Sequence, residues 1–147
     1  MEVKLIRSED TFSIRHKVLR PNQTIEECKF PNDEAEHTFH LGVFLDNELI
    51  SIASFYKEKH AGLNDPHQFR LRGMATLPEY RNRQAGSLLI KTAEQVLHNK
   101  DADVWWCNAR TSASGYYKKL GLKERGGLFE IPGIGPHIVM YKRLADN

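Results

Sequence analysis

The sequence predicts a protein of the α/β class built on an α+β mixed sheet, and three observations favour this class. Short β-rich runs separated by turn residues recur along the chain, which indicates several strands. Residues 84–99 repeat their apolar side chains with a helical period and lie between β-rich runs at 68–77 and 104–107. Because the second run is continuously apolar, it suits a strand that is covered on both faces. We therefore expect a right-handed strand–helix–strand unit over 68–109.

The chain is predicted to begin with a strand and a helix. Residues 3–5 alternate apolar and charged side chains, which indicates the first strand. Ser8 offers an N-cap to a helix that Pro21 ends. Residues 22–37 are polar and irregular, with one helical turn expected around 25–28.

A hairpin and a third β-rich run follow. Residues 39–45 and 49–56 read as strands, and Asp-Asn-Glu at 46–48 has the chemistry of a turn. Residues 60–67 contain Gly, Asn, Asp and Pro and are expected to form a loop. In the next strand, 68–77, the small residues at 73 and 75 favour a bulge or a splayed strand.

The C-terminal part is predicted to contain one more helix and two strands. The helix spans 112–120 and ends at Gly121. The strands span 122–131 and 137–144, and a Gly-Ile-Gly-Pro segment joins them. The predicted order is therefore β-α-β-β-β-α-β-α-β-β.

Composition excludes several classes of protein. The chain has 147 residues without repeat or linker, so we expect one domain over 1–147. The net charge of +2 argues against a dedicated nucleic-acid binder, and Trp105 and Trp106 lie in an apolar run typical of a core. No stretch reaches the roughly 20 apolar residues of a membrane span, and residues 1–7 alternate charged and apolar side chains, so we expect no secretion signal there. Cys28 and Cys107 lie far apart, so we expect no metal site and a reduced, cytoplasmic protein.

The segment at 81–87, Arg-Asn-Arg-Gln-Ala-Gly-Ser, lies between a strand and the start of a helix. The first N–H groups of a helix have no partner within the helix, and the helix dipole favours an anion there. Gly86 lets a ligand approach the backbone, while Arg81 and Arg83 add positive charge. The segment predicts a phosphate-binding site. A basic surface loop that only caps the helix is the alternative.

Two segments resemble signatures of the GNAT family of N-acetyltransferases. The first, 81–86, resembles the signature Q/R-x-x-G-x-G/A, with Gln84 in the place of the first glycine. The second, 113–122, is similar to A-x-x-[FY]-Y-x-K-x-G-F, and only its last position differs. Residues 135–142 look like the last strand of small family members. The resemblance covers residues 2–144.

This resemblance implies a fold and an activity. The fold is a central mixed sheet of about seven strands, flanked by about four helices and splayed between strands 4 and 5. The activity is transfer of an acetyl group from acetyl-CoA to a primary amine of a small molecule or peptide, by direct attack within a ternary complex. A homodimer is common in the family, so it is a possible partner state here.

The resemblance also implies cofactor-binding residues. Tyr117 is implied to lie beside the CoA sulfur and to protonate the leaving thiolate, because a phenol holds its proton at neutral pH. Tyr116 is expected to pack elsewhere. The strand end at 74–76 is implied to pair with the pantetheine arm and to offer a backbone N–H to the thioester oxygen. The expected cofactor-binding residues are Met74, Ala75, Thr76, Arg81, Asn82, Arg83, Gln84, Ala85, Gly86, Ser87, Leu88, Asn108 and Tyr117.

The group that removes the proton of the amine is less evident. Family members often carry a glutamate on the fourth strand, and this sequence has arginines there. His137 is the second catalytic candidate, because imidazole titrates near neutral pH. His40 and Glu79 are further candidates, and a structural role is the alternative for each of them.

Arg70, Arg72 and Arg110 are the expected substrate-binding residues. The first two could hold a carboxylate or phosphate of the acceptor, or they could form a charged, solvent-facing side of the strand. Asn108 and Arg110 could contact the pantetheine, line the acceptor pocket, cap a helix or face solvent.

Two alternatives to amine acetylation stay open. One is an acyl-CoA-binding or regulatory module without catalysis. It is supported by Gln84, in the place of a signature glycine, and by the absence of a glutamate on the fourth strand. The other is a related transferase that uses a different acyl-CoA.

Overall fold

The computed structural model of the protein describes residues 1–144. The strands are β1 (Glu2–Ile6), β2 (Phe39–Leu45), β3 (Glu48–Lys57), β4 (Gln68–Thr76), β5 (Val104–Arg110), β6 (Lys123–Ile131) and β7 (Gly135–Arg143). The α-helices in this part of the chain are α1 (Ser8–Ile14), α2 (Ala85–Asn99) and α3 (Ser114–Lys119). A π-helical turn, Arg15–Leu19, continues α1, and 3-10 turns cover Glu26–Cys28, Pro78–Tyr80 and Thr111–Ala113.

The predicted order of elements is confirmed, with small changes at the ends. The helical turn expected around residues 25–28 is a 3-10 turn of only three residues, Glu26–Cys28. Three α-helices therefore flank the sheet over residues 1–144, instead of about four. The hairpin turn is shorter than predicted, because Glu48 already belongs to β3. Asp46 and Asn47 both have positive φ, as a two-residue hairpin turn requires.

All seven strands form one sheet in the order β1-β2-β3-β4-β5-β7-β6. Every neighbouring pair is antiparallel except β4 and β5, which are parallel and joined by α2. The mixed α/β sheet predicted from the sequence is confirmed. Helix α2 packs its apolar stripe on this sheet, with Leu89, Ala93 and Leu97 fully buried.

The parallel pairing of β4 and β5 is short. It covers only the pairs Gln68 with Val104, Phe69 with Trp105 and Arg70 with Trp106. Beyond Arg70, the two strands diverge, and within residues 1–144 no further pair joins them. The splay between strands 4 and 5 that the family resemblance implied is therefore present.

A bulge lies on β4 just beyond this short pairing. Ile52 pairs with Ala75 and Ser54 pairs with Arg72, so two residues of β4 face one residue of β3. Gly73 has φ +65°, which favours glycine, and a Cβ there would lie 3.1 Å from the ring of Phe30. The predicted bulge is confirmed, and both its backbone angles and the nearby ring favour glycine at position 73.

A buried ion pair fastens the irregular segment after α1 to the sheet. Arg15 is fully buried, and its guanidinium donates to both carboxylate oxygens of Asp33 at 2.7 and 3.1 Å. It also donates to the hydroxyls of Ser54 and Tyr56. Asp33 accepts further hydrogen bonds from the Tyr56 hydroxyl (2.5 Å) and the Phe30 N–H (2.9 Å). Burial alone would raise the pKa of Asp33, but these hydrogen bonds hold it below its usual value.

Both tryptophans lie in the core, as predicted. Trp105 is 0% exposed and Trp106 is 2% exposed. Cys28 and Cys107 are also buried free thiols. Across residues 1–144, no helix is both long and apolar enough to cross a membrane.

Candidate functional site

The diverging ends of β4 and β5 enclose a groove made of two adjoining pockets. The first, which we call the α2-side pocket, has a volume of about 400 Å³ and includes Thr76, Arg81 and Gly86. The second, which we call the arginine pocket, has a volume of about 410 Å³ and includes Arg72 and His137. Both pockets are lined by Leu19, Met74, Arg110, Ala113 and Tyr117. These shared residues make the two pockets one continuous groove.

The π-helical turn shapes one wall of this groove. The N–H of Arg20 donates to the carbonyl of Arg15, five residues earlier, and this bond marks the wider turn. Val18 and Leu19 lie on the turn and line the groove. Arg15 at the start of the turn is buried instead.

The edge of β4 offers unpaired backbone groups to the groove. The other edge of β4 pairs with β3. On that side, the Ser51 hydroxyl also donates a hydrogen bond to the carbonyl of Ala75. Toward β5, residues 71–76 have no strand partner within the described chain. An extended ligand with amide groups could pair with this edge in the manner of a strand.

The start of α2 has left-handed backbone and an uncapped first turn. Gln84 is the N-cap and has left-handed angles, φ 63° and ψ 22°, and no side chain caps the first turn. Asn82 is also left-handed, with φ 64°. The unpartnered N–H groups of the first turn lie beside Arg81 and Arg83. Gln84 therefore adopts the conformation that a glycine would adopt most easily.

Tyr116 lies directly over Gly86. A Cβ added at Gly86 would lie 2.3 Å from the Tyr116 hydroxyl and 2.9 Å from Cε of Met74. Tyr116 is 41% exposed and lines the α2-side pocket together with Tyr117. The expectation that Tyr116 packs elsewhere is wrong.

Tyr117 is one of the five residues that line both pockets. Its ring packs edge-on against Tyr116 at 5.4 Å, and its hydroxyl has no hydrogen-bond partner within residues 1–144. Burial raises the pKa of Tyr117, and the neighbouring Cys107 and Tyr116 raise it further. The phenol is therefore protonated and has its donor available.

His137 lines the arginine pocket and is 4% exposed. Its Nδ1 lies 2.8 Å from the carbonyl oxygen of Gly135. Because a carbonyl can only accept, Nδ1 carries the hydrogen, and in the neutral ring the lone pair is on Nε2. Of the other candidates, His40 uses both ring nitrogens on Ser54 and Asp33.

Glu79 lies in the 3-10 turn Pro78–Tyr80 and lines neither pocket of the groove. Of the three residues considered for removing the amine proton, only His137 borders the groove. The described residues contain no group of three or more His, Cys, Asp or Glu side chains that could hold a metal ion.

The profile of the Acetyltransferase (GNAT) family matches residues 5–122. The chain belongs to this family. An uncharacterized N-acetyltransferase of Bacillus subtilis, YitI, is 57% identical over 147 residues, covering 100% of this chain and 99% of that protein. The name of that relative agrees with the family.

Solved GNAT structures share the fold. An aminoglycoside 6'-N-acetyltransferase complexed with coenzyme A matches with a TM-score of 0.79 at 11% identity, over 100% of this chain and 99% of that one. The ribosomal-protein-S18-alanine N-acetyltransferase of Escherichia coli matches with a TM-score of 0.76 at 14% identity, over 99% and 95%. At these identities, the likeness concerns the fold alone.

The residues expected to hold the GNAT cofactor fall into four places. Met74, Ala75, Thr76, Arg81, Gly86 and Tyr117 line the α2-side pocket. Asn82, Arg83, Gln84, Ser87 and Leu88 line a separate depression of about 530 Å³ at the outer side of the start of α2. Asn108 lies in the arginine pocket instead, and the side chain of Ala85 is buried in the core.

The three arginines expected to bind substrate all border the arginine pocket. Arg70 pairs with Glu58 at 3.1 Å and lies 5.1 Å from the ring of Trp106. Arg72 lies 4.6 Å from the ring of Phe30. Arg110 is exposed and borders both pockets.

Among the residues of the arginine pocket that were not expected from the sequence are an arginine and an aromatic residue. Arg20 and Phe30 belong to or adjoin the irregular segment after α1, and both line the pocket. No periodic pattern marks this segment. No sequence signal points to them, because the buried pair of Arg15 and Asp33 that fixes this segment is visible only once the fold is known.

Proposed function

We propose that the protein transfers an acetyl group from acetyl-CoA to the primary amine of a small molecule or peptide, within a ternary complex. The observation that carries this proposal is the groove between β4 and β5, in which Tyr117 borders both pockets. The α2-side pocket includes residues at the start of α2, where an anion could bind, and the arginine pocket offers space for an acceptor. A donor and an acceptor could therefore meet at Tyr117.

The residues around the α2-side pocket fit coenzyme A. The start of α2, with Arg81 and Arg83, would hold the phosphates. The unpaired backbone edge of β4 at 74–76 would pair with the amides of the pantetheine arm. A backbone N–H of this edge would also stabilise the charge that develops on the thioester oxygen. Acetyl-CoA supplies the activated acetyl group, and no metal is needed for this chemistry.

Tyr117 and His137 are proposed to handle the protons. Nε2 of His137 would accept the proton that the amine must lose before it attacks, directly or through a water molecule. Tyr117 would donate its hydroxyl proton to the departing sulfur. The raised pKa of Tyr117 keeps this proton on the phenol throughout the neutral range.

The experiment that tests this proposal has two stages. Thermal unfolding with increasing acetyl-CoA should show a stabilisation that grows with ligand concentration. A thiol-release assay across amino acids, simple amines, polyamines and peptides should then reveal turnover. With an accepted amine, Tyr117→Phe should lower kcat by about 10²- to 10⁴-fold and leave acetyl-CoA binding intact.

Tyr141→Phe is the matched control, because Tyr141 lies on β7 outside the groove. Full turnover by Tyr117→Phe would refute the role of Tyr117. Binding of acetyl-CoA without thiol release from any amine would instead favour an acyl-CoA-binding module. Faster turnover with a longer acyl-CoA would identify a different donor. A homodimer, a single domain over 1–147 and a cytoplasmic location stay predictions.

A further inference from the structure

The arginine pocket is much more positive than the protein as a whole. Arg20, Arg70, Arg72 and Arg110 line it, and none of its lining residues is an aspartate or glutamate. The complete chain, in contrast, has a net charge of only +2. A concave site with one sign of charge attracts ligands of the opposite sign.

These arginines differ in the hydrogen bonds and ion pairs that their guanidinium groups make within the protein. Arg70 is paired with the carboxylate of Glu58 at 3.1 Å. Nη1 of Arg20 donates to the carbonyl of Glu27 at 2.7 Å. Within residues 1–144, the guanidinium of Arg72 makes neither a hydrogen bond nor an ion pair, although the residue is half-buried. Arg72 is therefore a partly desolvated cation whose donors have no protein partner.

Arg72 and Arg20 pack against the same aromatic ring, that of Phe30. Their guanidinium carbons lie 4.6 and 4.9 Å from the centre of the Phe30 ring. Arg15 lies 4.0 Å from the same ring, and Asp33 accepts a hydrogen bond from the N–H of Phe30. The buried ion pair thus fixes the ring against which both arginines pack.

Neighbouring charges add to the effect of burial on Arg72. Burial lowers the pKa of Arg72, and the positive charges of Arg70 and Arg20 lower it further. A bound anion would relieve both the desolvation and the repulsion. Spermidine or an aminoglycoside would instead bring further positive charge into this pocket.

We propose that the acceptor is an amine that also carries a carboxylate or phosphate group, and that Arg72, with Arg20 beside it, binds this group. This inference rests on the acyl transfer proposed above. The planar guanidinium of Arg72 can donate two parallel hydrogen bonds to either anion. Met74, two residues further along β4, borders both pockets, so the anion site adjoins the place where donor and acceptor meet.

The test compares acceptors that differ only in the anion. Thiol release is measured for glycine against glycinamide, for longer amino acids against their amides, and for phosphoethanolamine against ethanolamine. Spermidine serves as the polycation. Arg72→Gln removes the charge and keeps a polar, though shorter, side chain, and Arg72→Lys keeps the charge without the planar fork. Arg143→Gln is the control, because Arg143 is exposed on β7 and pairs with Asp65.

We expect wild-type kcat/KM to be higher for the anionic member of at least one pair than for its neutral twin. The pair that responds identifies the anion as carboxylate or phosphate. Arg72→Gln should lower kcat/KM for that member on the order of 10- to 100-fold, with a smaller loss in Arg72→Lys. It should leave the neutral twin and the stabilisation by acetyl-CoA nearly unchanged. Arg143→Gln should leave all these values unchanged.

Preference for neutral amines or spermidine, or equal losses for both members of a pair in Arg72→Gln, would overturn the inference. If no amine releases thiol, the acyl transfer itself fails, and the anion site is tested by binding. Glycine and phosphoethanolamine are then added to the protein saturated with CoA. A thermal stabilisation that Arg72→Gln abolishes supports the anion site, and the absence of any stabilisation overturns it.

Discussion

Removing the carboxylate of Asp33 should destabilise the fold strongly. Arg15 is 0% exposed, and Asp33 accepts two of its hydrogen bonds as well as those of Tyr56 and the Phe30 N–H. Asp33→Ala would leave a buried guanidinium without its counter-ion. Breaking a buried pair in this way typically costs about 3–5 kcal/mol of the free energy of unfolding. Domains of this size are stable by about 5–15 kcal/mol, so the loss is a large fraction of the total.

Urea unfolding followed by the fluorescence of the two buried tryptophans measures this loss. The midpoint should fall in Asp33→Ala while the slope stays constant. Glu124→Ala is the exposed control, because the pair of Lys118 and Glu124 is 55% and 41% exposed and should contribute about 0–1 kcal/mol. Replacing both buried partners, Arg15→Met with Asp33→Leu, should recover much of the loss.

Acid adds a second test of the same reasoning. The pKa of Asp33 is held below its usual value of 3.8, so its stabilisation is fully present above that pH. It is lost as the pH falls through the lowered pKa, and the difference between wild type and Asp33→Ala should shrink there. A loss below about 1 kcal/mol of stability in Asp33→Ala at pH 7 would refute the reasoning that this variant leaves Arg15 as an uncompensated buried charge.

Three further predictions concern the groove. Gly73→Ala should cost about 1–3 kcal/mol of stability, because alanine is strained at φ +65° and meets the Phe30 ring; an unchanged urea midpoint would contradict this. Gln84→Gly should leave acetyl-CoA binding intact. Gln84→Val should lower the free energy of unfolding by about 1–2 kcal/mol, because glycine adopts φ 63° freely and a β-branched residue does not. Equal stability of the two variants would contradict this prediction. The raised pKa of Tyr117 keeps the phenol protonated above its usual value of about 10, so kcat/KM should show no alkaline decline below that pH. An alkaline decline near pH 8 that disappears in Tyr117→Phe would contradict the raised pKa.

Much of the fold could be predicted from the sequence because its signals are local. The stripe of apolar residues in α2 and the continuous apolar run at 104–107 depend on neighbours a few residues away. The bulge at Gly73 followed from the small residues of its strand. The segment that contains Phe30 could not be placed in this way, because an ion pair between residues 18 positions apart fixes it.

The candidate site was predictable where it depends on one segment. The positive start of α2 follows from one short stretch of sequence, and the resemblance of a second stretch, 113–122, to a family signature pointed to Tyr117, which lines the groove. Tyr116 was missed because adjacent residues of a helix normally face different directions. Helix α3 has only six residues and lies at the edge of the groove, so both neighbours line the same pocket. The contribution of Arg20 depends on the tertiary contact with Phe30.

The short pairing of β4 with β5 has a consequence for the mechanics of the sheet. Only three residue pairs between β4 and β5 join the four strands β1 to β4 to the three strands β5 to β7. We call this short pairing the seam of the sheet. Any ligand that forms hydrogen bonds along the open edge of β4 extends this seam. Hydrogen exchange should then slow on both sides of the seam when the groove is filled. The bound ligand would add hydrogen bonds that the sheet itself lacks at this place. The protection of both halves from hydrogen exchange would therefore rise with the concentration of the ligand.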